Sequence, residues 1–271
     1  MSRRQLGNAY APGGGILEPS NAQQTLAEWL REEPFALTMS SGFFGFFAHA
    51  GVLRALEKSG LSPVRVSGSS AGALVTGLWA AGLSALDIER ELMTLQRQDF
   101  WDPALGLGFL RGKRFQSRLD ELLPAAEFSS CRVPLSVSVF DVLSRQTVVL
   151  DSGPLAPALR ASCTVPVLFH PLWHRGRPLL DGGILDRPGL AGMPTQRLLY
   201  HHLASRSPWR RPGSPSLNVP DRAGLCALVI ADLPRVNPFR LERGREAFRH
   251  AERAALRALA APVPPNLQVH C

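Results

Sequence analysis

The chain has 271 residues, 45% apolar, 7% aromatic and 19% charged, with a formal net charge of +8. That apolar content excludes a disordered chain, the lack of a short period excludes collagen and repeat arrays, and the length suffices for one large domain with a sizeable core. Of the 30 basic residues only Lys58 and Lys113 are lysines, and the arginines are spread along the chain rather than gathered in a stripe. Nucleic acid is therefore not an expected partner. The arginines read either as codon bias or as a surface attracted to anionic lipid or phosphate.

Cys131, Cys163, Cys226 and Cys271 lie far apart without metal-ligand spacing, so neither a metal nor a disulfide framework is expected, and no cofactor cluster is visible. The first residues lack the apolar stretch of a secretory signal. A reducing, cytoplasmic location is the default expectation, with a membrane surface as a peripheral partner. Residues 34–53 and 66–86 are uncharged and long enough to span a bilayer. Ser40-Ser41-Gly42 and Ser67-Gly68-Ser69-Ser70 interrupt them, which suits a buried strand, a tight turn and a buried helix better.

Residues 1–34 read as a flexible lead-in ending in a short helix over 22–31. Residues 35–200 read as the core, and residues 201–271 as a loop, strand and helix completing the same domain. Leu37-Thr38-Met39 is a short apolar strand. A helix follows over 46–59, with Val52, Leu53 and Leu56 on one face and Gly60 as its stop. Val64-Arg65-Val66 is the next strand and 71–81 the next helix, ended by Gly82. Ser84 and Asp87 form a capping box opening a helix whose buried stripe is Ile88, Leu92 and Leu95. Leu135, Val137 and Val139 alternate with polar positions as a strand does, and 147–150 is its partner. Residues 205–221 are rich in Pro, Gly and Arg and read as a long loop. A last buried strand over 223–232 and an amphipathic helix over 241–260 follow. Strands alternating with helices predict an α/β fold around a mostly parallel sheet.

The chemistry-bearing segment is Gly68-Ser69-Ser70-Ala71-Gly72, a G-x-S-x-G between a strand and an apolar helix. A nucleophilic serine needs that context: a strained turn lifts its hydroxyl off the sheet, and the helix N-terminus favours the negative charge formed beside it. The serine also needs a base. His170, His174, His201, His202 and His250 all follow it, as the histidine of an α/β-hydrolase does. The alternative is a carboxylate acting directly: Asp181-Gly182-Gly183 follows the apolar pair Leu179-Leu180 at a strand end.

These features stand in a recognisable order. Ser40-Ser41-Gly42 leads into Ala48-His49-Ala50-Gly51, then come Gly68 to Gly72, Arg160-Ala161-Ser162 with Pro166 and Phe169, and finally Asp181-Gly182-Gly183. The order resembles that of the patatin-like phospholipase family, bacterial type, over about residues 37–188. The resemblance implies a three-layer α/β/α fold with helices on both faces, lipid acyl hydrolysis without metal or cofactor, Ser70 as nucleophile and Asp181 as base. It implies no base role for His49. The family's Gly-Gly-Gly-x-Arg-Gly oxyanion loop is degenerate here: Ser41-Gly42-Phe43-Phe44-Gly45-Phe46 keeps Gly42, while Gly45 and Phe46 replace the arginine and the last glycine. Since such a hole works through backbone amides, Gly42, Phe43 and Ala71 are its expected donors.

The expectation is thus a serine esterase acting on a lipid through a Ser-Asp dyad and an acyl-enzyme. Three alternatives remain: a Ser-His-Asp hydrolase, a lipid-binding relative that has lost turnover, and acyl transfer to an acceptor other than water. The aromatic group Phe43, Phe44, Phe46 and Phe47 is expected to wall an acyl pocket, join the core or rest on a bilayer.

Overall fold

The computed structural model describes residues 24–194, 197–204, 214 and 217–271. The expected lead-in up to residue 23, and most of the long loop at 205–221, lie outside the described residues. Helix α1 (Leu26–Glu32) comes first, with strand β1 (Ala36–Met39), helix α2 (Phe46–Lys58), strand β2 (Arg65–Ser69) and helices α3 (Ala71–Ala80) and α4 (Ala85–Thr94) behind it. Strand β3 (Gly108–Leu110) and helix α5 (Lys113–Leu122) precede a block of strands β4 (Leu135–Asp141) and β5 (Gln146–Leu150). Helix α6 (Leu155–Ser162) leads to three short strands, β6 (Val167–Phe169), β7 (Leu172–His174) and β8 (Arg177–Asp181). The chain closes with β9 (Leu198–Leu203), β10 (Leu225–Ile230), α7 (Arg243–Ala260) and β11 (Gln268–His270).

Among the described residues nine strands form one sheet in the pairing order β11-β10-β9-β1-β2-β4-β8-β7, with β5 also paired to β4. The run from β11 to β4 is parallel throughout, which matches the expected α/β class. Strands β5 and β8 both run antiparallel to β4. A separate parallel pair joins β3 to β6.

One detail of this pairing positions the site. Along β4, Leu135 to Ser138 pair with β2, while Val139 to Asp141 pair with β8. Strand β5 spans that boundary from Val137 to Asp141, so it occupies one edge of β4, and β2 and β8 share the other. Parallel β2 ends at Ser69 opposite Ser138, and antiparallel β8 ends at Asp181 opposite Val139. The two strands therefore meet tip to tip.

The two faces of the sheet are covered unequally. Leu37, Met39, Val66, Val137, Leu199 and Leu228 face a large apolar core that takes buried residues from all seven described helices. Helix α3 is buried along its whole length because nearly every residue is apolar. Helices α2 and α7 approach closely through Gly51 and Gly244: a Cβ on Gly51 would lie 2.3 Å from the Phe248 carbonyl oxygen, and one on Gly244 would lie 2.4 Å from the Phe47 ring. The opposite face carries a smaller apolar cluster of Ala36, Met193, Leu198, Tyr200, Leu225, Ala227 and Val229. Toward β4 this face turns polar, and the stretch after β8, which opens with a 3-10 turn over Gly182–Ile184, covers it by hydrogen bonding. Ser67 Oγ donates to the Gly189 carbonyl at 2.6 Å, and Ser138 Oγ to Asp186 Oδ2 at 2.6 Å. The α/β fold expected from the sequence, a central and mostly parallel sheet with helices, is thus observed, and toward β4 its second face is covered by turns, because serine-lined strands offer nothing to an apolar helix stripe. Among the described residues no helix is long and apolar enough to cross a membrane.

Candidate functional site

The G-x-S-x-G segment forms the strand–turn–helix expected of it. Ser70 links β2 directly to α3 and holds φ 53° and ψ −120°, a conformation uncommon for a residue with a side chain. Gly68 and Gly72 make that turn sterically feasible. A Cβ on Gly68 would lie 2.4 Å from the Ala73 amide nitrogen, and one on Gly72 would lie 1.9 Å from the Met39 carbonyl oxygen. No heavier residue fits either position without displacing backbone.

Ser70 Oγ donates to Asp181 Oδ2 at 2.6 Å, and the other carboxylate oxygen, Oδ1, accepts the Gly183 amide at 2.8 Å. The two side chains are 111 residues apart in sequence and meet because their strands end head to head on β4. Both are largely buried, at 8% and 7% exposure. Gly182 and Gly183 let the chain pass close by: a Cβ on Gly182 would lie 2.0 Å from the Ser138 carbonyl oxygen, and one on Gly183 would lie 2.4 Å from Ser41 Oγ.

Ser162, at the end of α6, bridges the gap between the two strand tips. Its Oγ accepts the Ser70 amide at 2.8 Å and donates to the Ser138 carbonyl at 2.7 Å. Cys163 follows, with Sγ 3.3 Å from the Ser70 carbonyl oxygen, and burial first and the Asp181 charge second push its thiol well above the usual range. Cys163 is thus a packing residue rather than a reactive thiolate.

The altered glycine loop is a closed turn. The Gly45 amide donates to the Gly42 carbonyl at 2.9 Å, and Phe44 takes φ 55°. Strand β9 braces it: a Cβ on Gly42 or Gly45 would fall 2.5 or 2.2 Å from Leu203 Cδ1, and the Leu203 amide donates to Ser40 Oγ at 3.0 Å. Among the described residues the amides of Gly42, Phe43 and Ala71 have no intramolecular acceptor, and all three residues border the same cavity as Ser70.

That cavity has a volume of about 770 Å³ and is lined mainly by apolar side chains, with Ser70, Asp181 and Gly183 in its wall. The phenylalanine group divides: Phe43, Phe44 and Phe46 line the cavity, while Phe47 is core. Leu92, Leu110, Phe115, Leu119, Phe169 and Leu203 complete much of the wall. The wall residues between 99 and 122, and Leu203, carry no local sequence signal, because they come from separate elements and share no pattern.

Among the described residues no histidine lines the cavity. His49 is fully buried; its Nε2 lies 2.8 Å from the Ser40 carbonyl oxygen and therefore carries the proton, so Nδ1 accepts from His201 Nδ1 at 2.8 Å. Burial drives the His49 imidazole down to about 3 and holds His201 well below its usual range. His202 meets the Tyr200 hydroxyl at 3.0 Å, and burial lowers it to about 4. His170 lies between β6 and β7, His174 ends β7, and His250 lies on α7. Arg187 is buried on the second face, where it donates to the Leu203 carbonyl and also borders the cavity. Among the described residues no cluster of His, Cys, Asp and Glu could hold a metal ion.

Three comparisons bear on this geometry. The family model described as Patatin-like phospholipase matches residues 37–192, more than half of the chain. An uncharacterised NTE family protein of Mycobacterium bovis is 33% identical over 161 residues, covering 56% of this chain and 43% of that protein. The Lysophospholipase NTE1 of Debaryomyces hansenii is 26% identical over 168 residues, covering 59% of this chain and 11% of that protein. The chain thus spans less than half the length of the curated relatives named here. Among solved structures, VipD from Legionella pneumophila shares the fold with a TM-score of 0.62 at 16% identity, covering 85% of this chain and 67% of that one. With its strand–serine–helix turn, its Asp-Gly-Gly strand end and a family match across both, the chain belongs to the patatin-like phospholipase family.

Proposed function

We propose that the protein is a serine acyl hydrolase cleaving an acyl ester of a lipid, with Ser70 as nucleophile and Asp181 as general base. The observation that carries this reading is the 2.6 Å hydrogen bond from Ser70 Oγ to Asp181 Oδ2 in the wall of an apolar cavity of about 770 Å³. The volume falls within the roughly 300–1,000 Å³ of small-molecule sites. The Gly183 amide occupies Oδ1, so Oδ2 is the oxygen aimed at the serine proton.

In the reaction, Oδ2 takes the Ser70 proton as Oγ bonds to the ester carbonyl carbon. The tetrahedral oxyanion is stabilised by the amides of Gly42, Phe43 and Ala71, the last at the N-terminus of α3. The alcohol leaves with the proton held by Asp181, and an acyl-enzyme remains on Oγ. Asp181 then takes a proton from water as its oxygen attacks the acyl carbon, and on collapse Asp181 returns that proton to the departing Ser70 Oγ as the carboxylic acid is released. A lysophospholipid is a fitting first substrate, since a relative is named as a lysophospholipase.

The test is labelling by a fluorophosphonate probe. Wild type is expected to label, and Ser70→Ala and Asp181→Asn to lose labelling while keeping the wild-type thermal transition. A folded wild type that does not label overturns the reading in favour of a lipid binder without turnover. Labelling that survives Asp181→Asn but is lost on replacing a histidine points to a Ser-His-Asp enzyme.

A further inference from the structure

Residues 102–111 form a hairpin beside the cavity. The Ala104 amide donates to the Phe109 carbonyl at 3.0 Å and the Arg111 amide to the Asp102 carbonyl at 3.1 Å, so residues 105–108 are its tip. Hairpin tips normally carry small polar residues. This one reads Leu105-Gly106-Leu107-Gly108-Phe109, an alternation turned inside out. The glycines face the protein: a Cβ on Gly106 would fall 2.3 Å from the His170 ring, and one on Gly108 would fall 2.4 Å from the Phe169 backbone. The large apolar residues face solvent, Leu105 entirely and Leu107 and Phe109 at 74% and 68% exposure. Val167, paired with Gly108 across the β3–β6 ribbon, is also exposed and holds φ 69°, a costly conformation for a β-branched residue.

The hairpin is held firmly. The Asp102 carboxylate accepts the amides of Gly112, Lys113 and Arg114 at 2.9, 2.7 and 3.1 Å, tying the base of the hairpin to the start of α5. Between Asp102 and Asp120 the chain carries Arg111, Lys113, Arg114 and Arg118 and no acidic residue. The ribbon that bears these exposed residues also contributes Leu110, Leu168 and Phe169 to the cavity wall.

We propose that this hairpin is a membrane wedge. Leu105, Leu107 and Phe109 enter the outer few ångströms of an anionic bilayer, Arg111, Lys113 and Arg114 meet its headgroups, and the cavity opens where acyl chains are delivered. The last step rests on the acyl-hydrolase reading. An aqueous partner leaves the outward leucines unexplained, whereas an anionic lipid surface satisfies both the apolar tip and the adjacent basic run.

The experiment is flotation with vesicles of equimolar phosphatidylcholine and phosphatidylglycerol. Wild type and Ser70→Ala are expected to bind equally. A variant combining Leu105→Ser, Leu107→Ser and Phe109→Ser is expected to bind at least ~30-fold more weakly, while keeping the wild-type thermal transition and its reaction with a water-soluble ester. A Leu107→Trp variant is expected to gain fluorescence that bromine-labelled acyl chains quench. Undiminished binding by the triple variant overturns the proposal. So does a wild-type dimer that the triple variant converts to monomer without vesicle affinity, which assigns the face to a second copy. Since vesicle binding does not require turnover, failure to label with the fluorophosphonate would leave this result readable by itself.

Discussion

Ser162 shows how much of a site can depend on one small hydroxyl. It satisfies the Ser70 amide and the Ser138 carbonyl together, and so ties the turn after β2 to the strand against which β8 ends. Ser162→Ala leaves both groups buried and unpaired. An unsatisfied buried group costs about 1–3 kcal/mol, so the thermal transition is expected to fall by several degrees. Misplacement of Ser70, the proposed nucleophile, by a fraction of an ångström lowers turnover more than binding. Steady-state kinetics on a soluble ester is therefore expected to show kcat down about 10- to 100-fold with KM little changed. Equal losses in a Ser162→Ala enzyme and in a distant core variant of the same stability would make the serine a mere packing residue. Asp181 has no comparable redundancy: Asn keeps the shape and the Gly183 contact but cannot take the serine proton.

At the scale of elements, the join between hairpin and α5 carries a definite prediction. Asp102→Ala removes an acceptor shared by three helix-terminal amides, a loss of about 1–2 kcal/mol for an N-terminal cap. Hydrogen exchange is expected to quicken over residues 103–117 and to stay unchanged in α3 and α7. The α2–α7 and β1–α3 contacts rest on glycines instead. Gly72→Ala forces a methyl to 1.9 Å from the Met39 carbonyl oxygen and is expected to cost about 2–3 kcal/mol, read as a lowered denaturant midpoint.

These elements also show what a sequence can disclose. The helix starts at Phe46, Ala71 and Ala85 were legible because caps, glycines and 3.6-residue periodicity are written locally, and the Ser84–Asp87 capping box is present as expected. Ser70 and Asp181 were legible as residues in short motifs with characteristic strand and turn contexts. Their meeting was legible only through the family resemblance and not from the residues themselves, since it depends on β8 running antiparallel to β4, a choice made by pairing across the sheet. The histidines were open candidates because ring chemistry alone does not reveal burial. The cavity wall between α4 and α5 escaped for a related reason, as its apolar residues look like any helix stripe until the cavity separates them. The outward leucines of the hairpin were hidden because alternation reports two faces without saying which one is wet.

For the whole molecule, three buried imidazoles set its response to acid: His49 and His201 on the helix-covered face of the sheet, and His202 beside Tyr200 on the other. Burial first, helped for His201 by the neighbouring His49 and His202, keeps all three neutral in the folded state, with His49 lowered to about 3 and His202 to about 4. In the unfolded chain they titrate near 6.5, so protons bind the unfolded state preferentially between these values. Their contribution is fully present above about pH 6.5 and is lost as pH falls toward 4. Each histidine takes up to about 1.4 kcal/mol per pH unit within that window. Thermal transitions measured from pH 7.5 to 4.5 are expected to drop steeply below 6.5, before the carboxylates begin to titrate. A flat profile over that range would contradict neutral burial of the cluster.

The head-to-head meeting of β2 and β8 also has a kinetic consequence. Helices α2 and α3 can form from nearby residues, but the Ser70–Asp181 contact exists only after a segment more than a hundred residues downstream has threaded back antiparallel and capped the strand end. Reactivity toward a fluorophosphonate is then a clock for the last event in folding. In a refolding experiment, probe labelling should lag behind the recovery of helical signal, and the delay between the two measures how long the molecule waits, nearly native in outline, for the proposed base Asp181 to arrive.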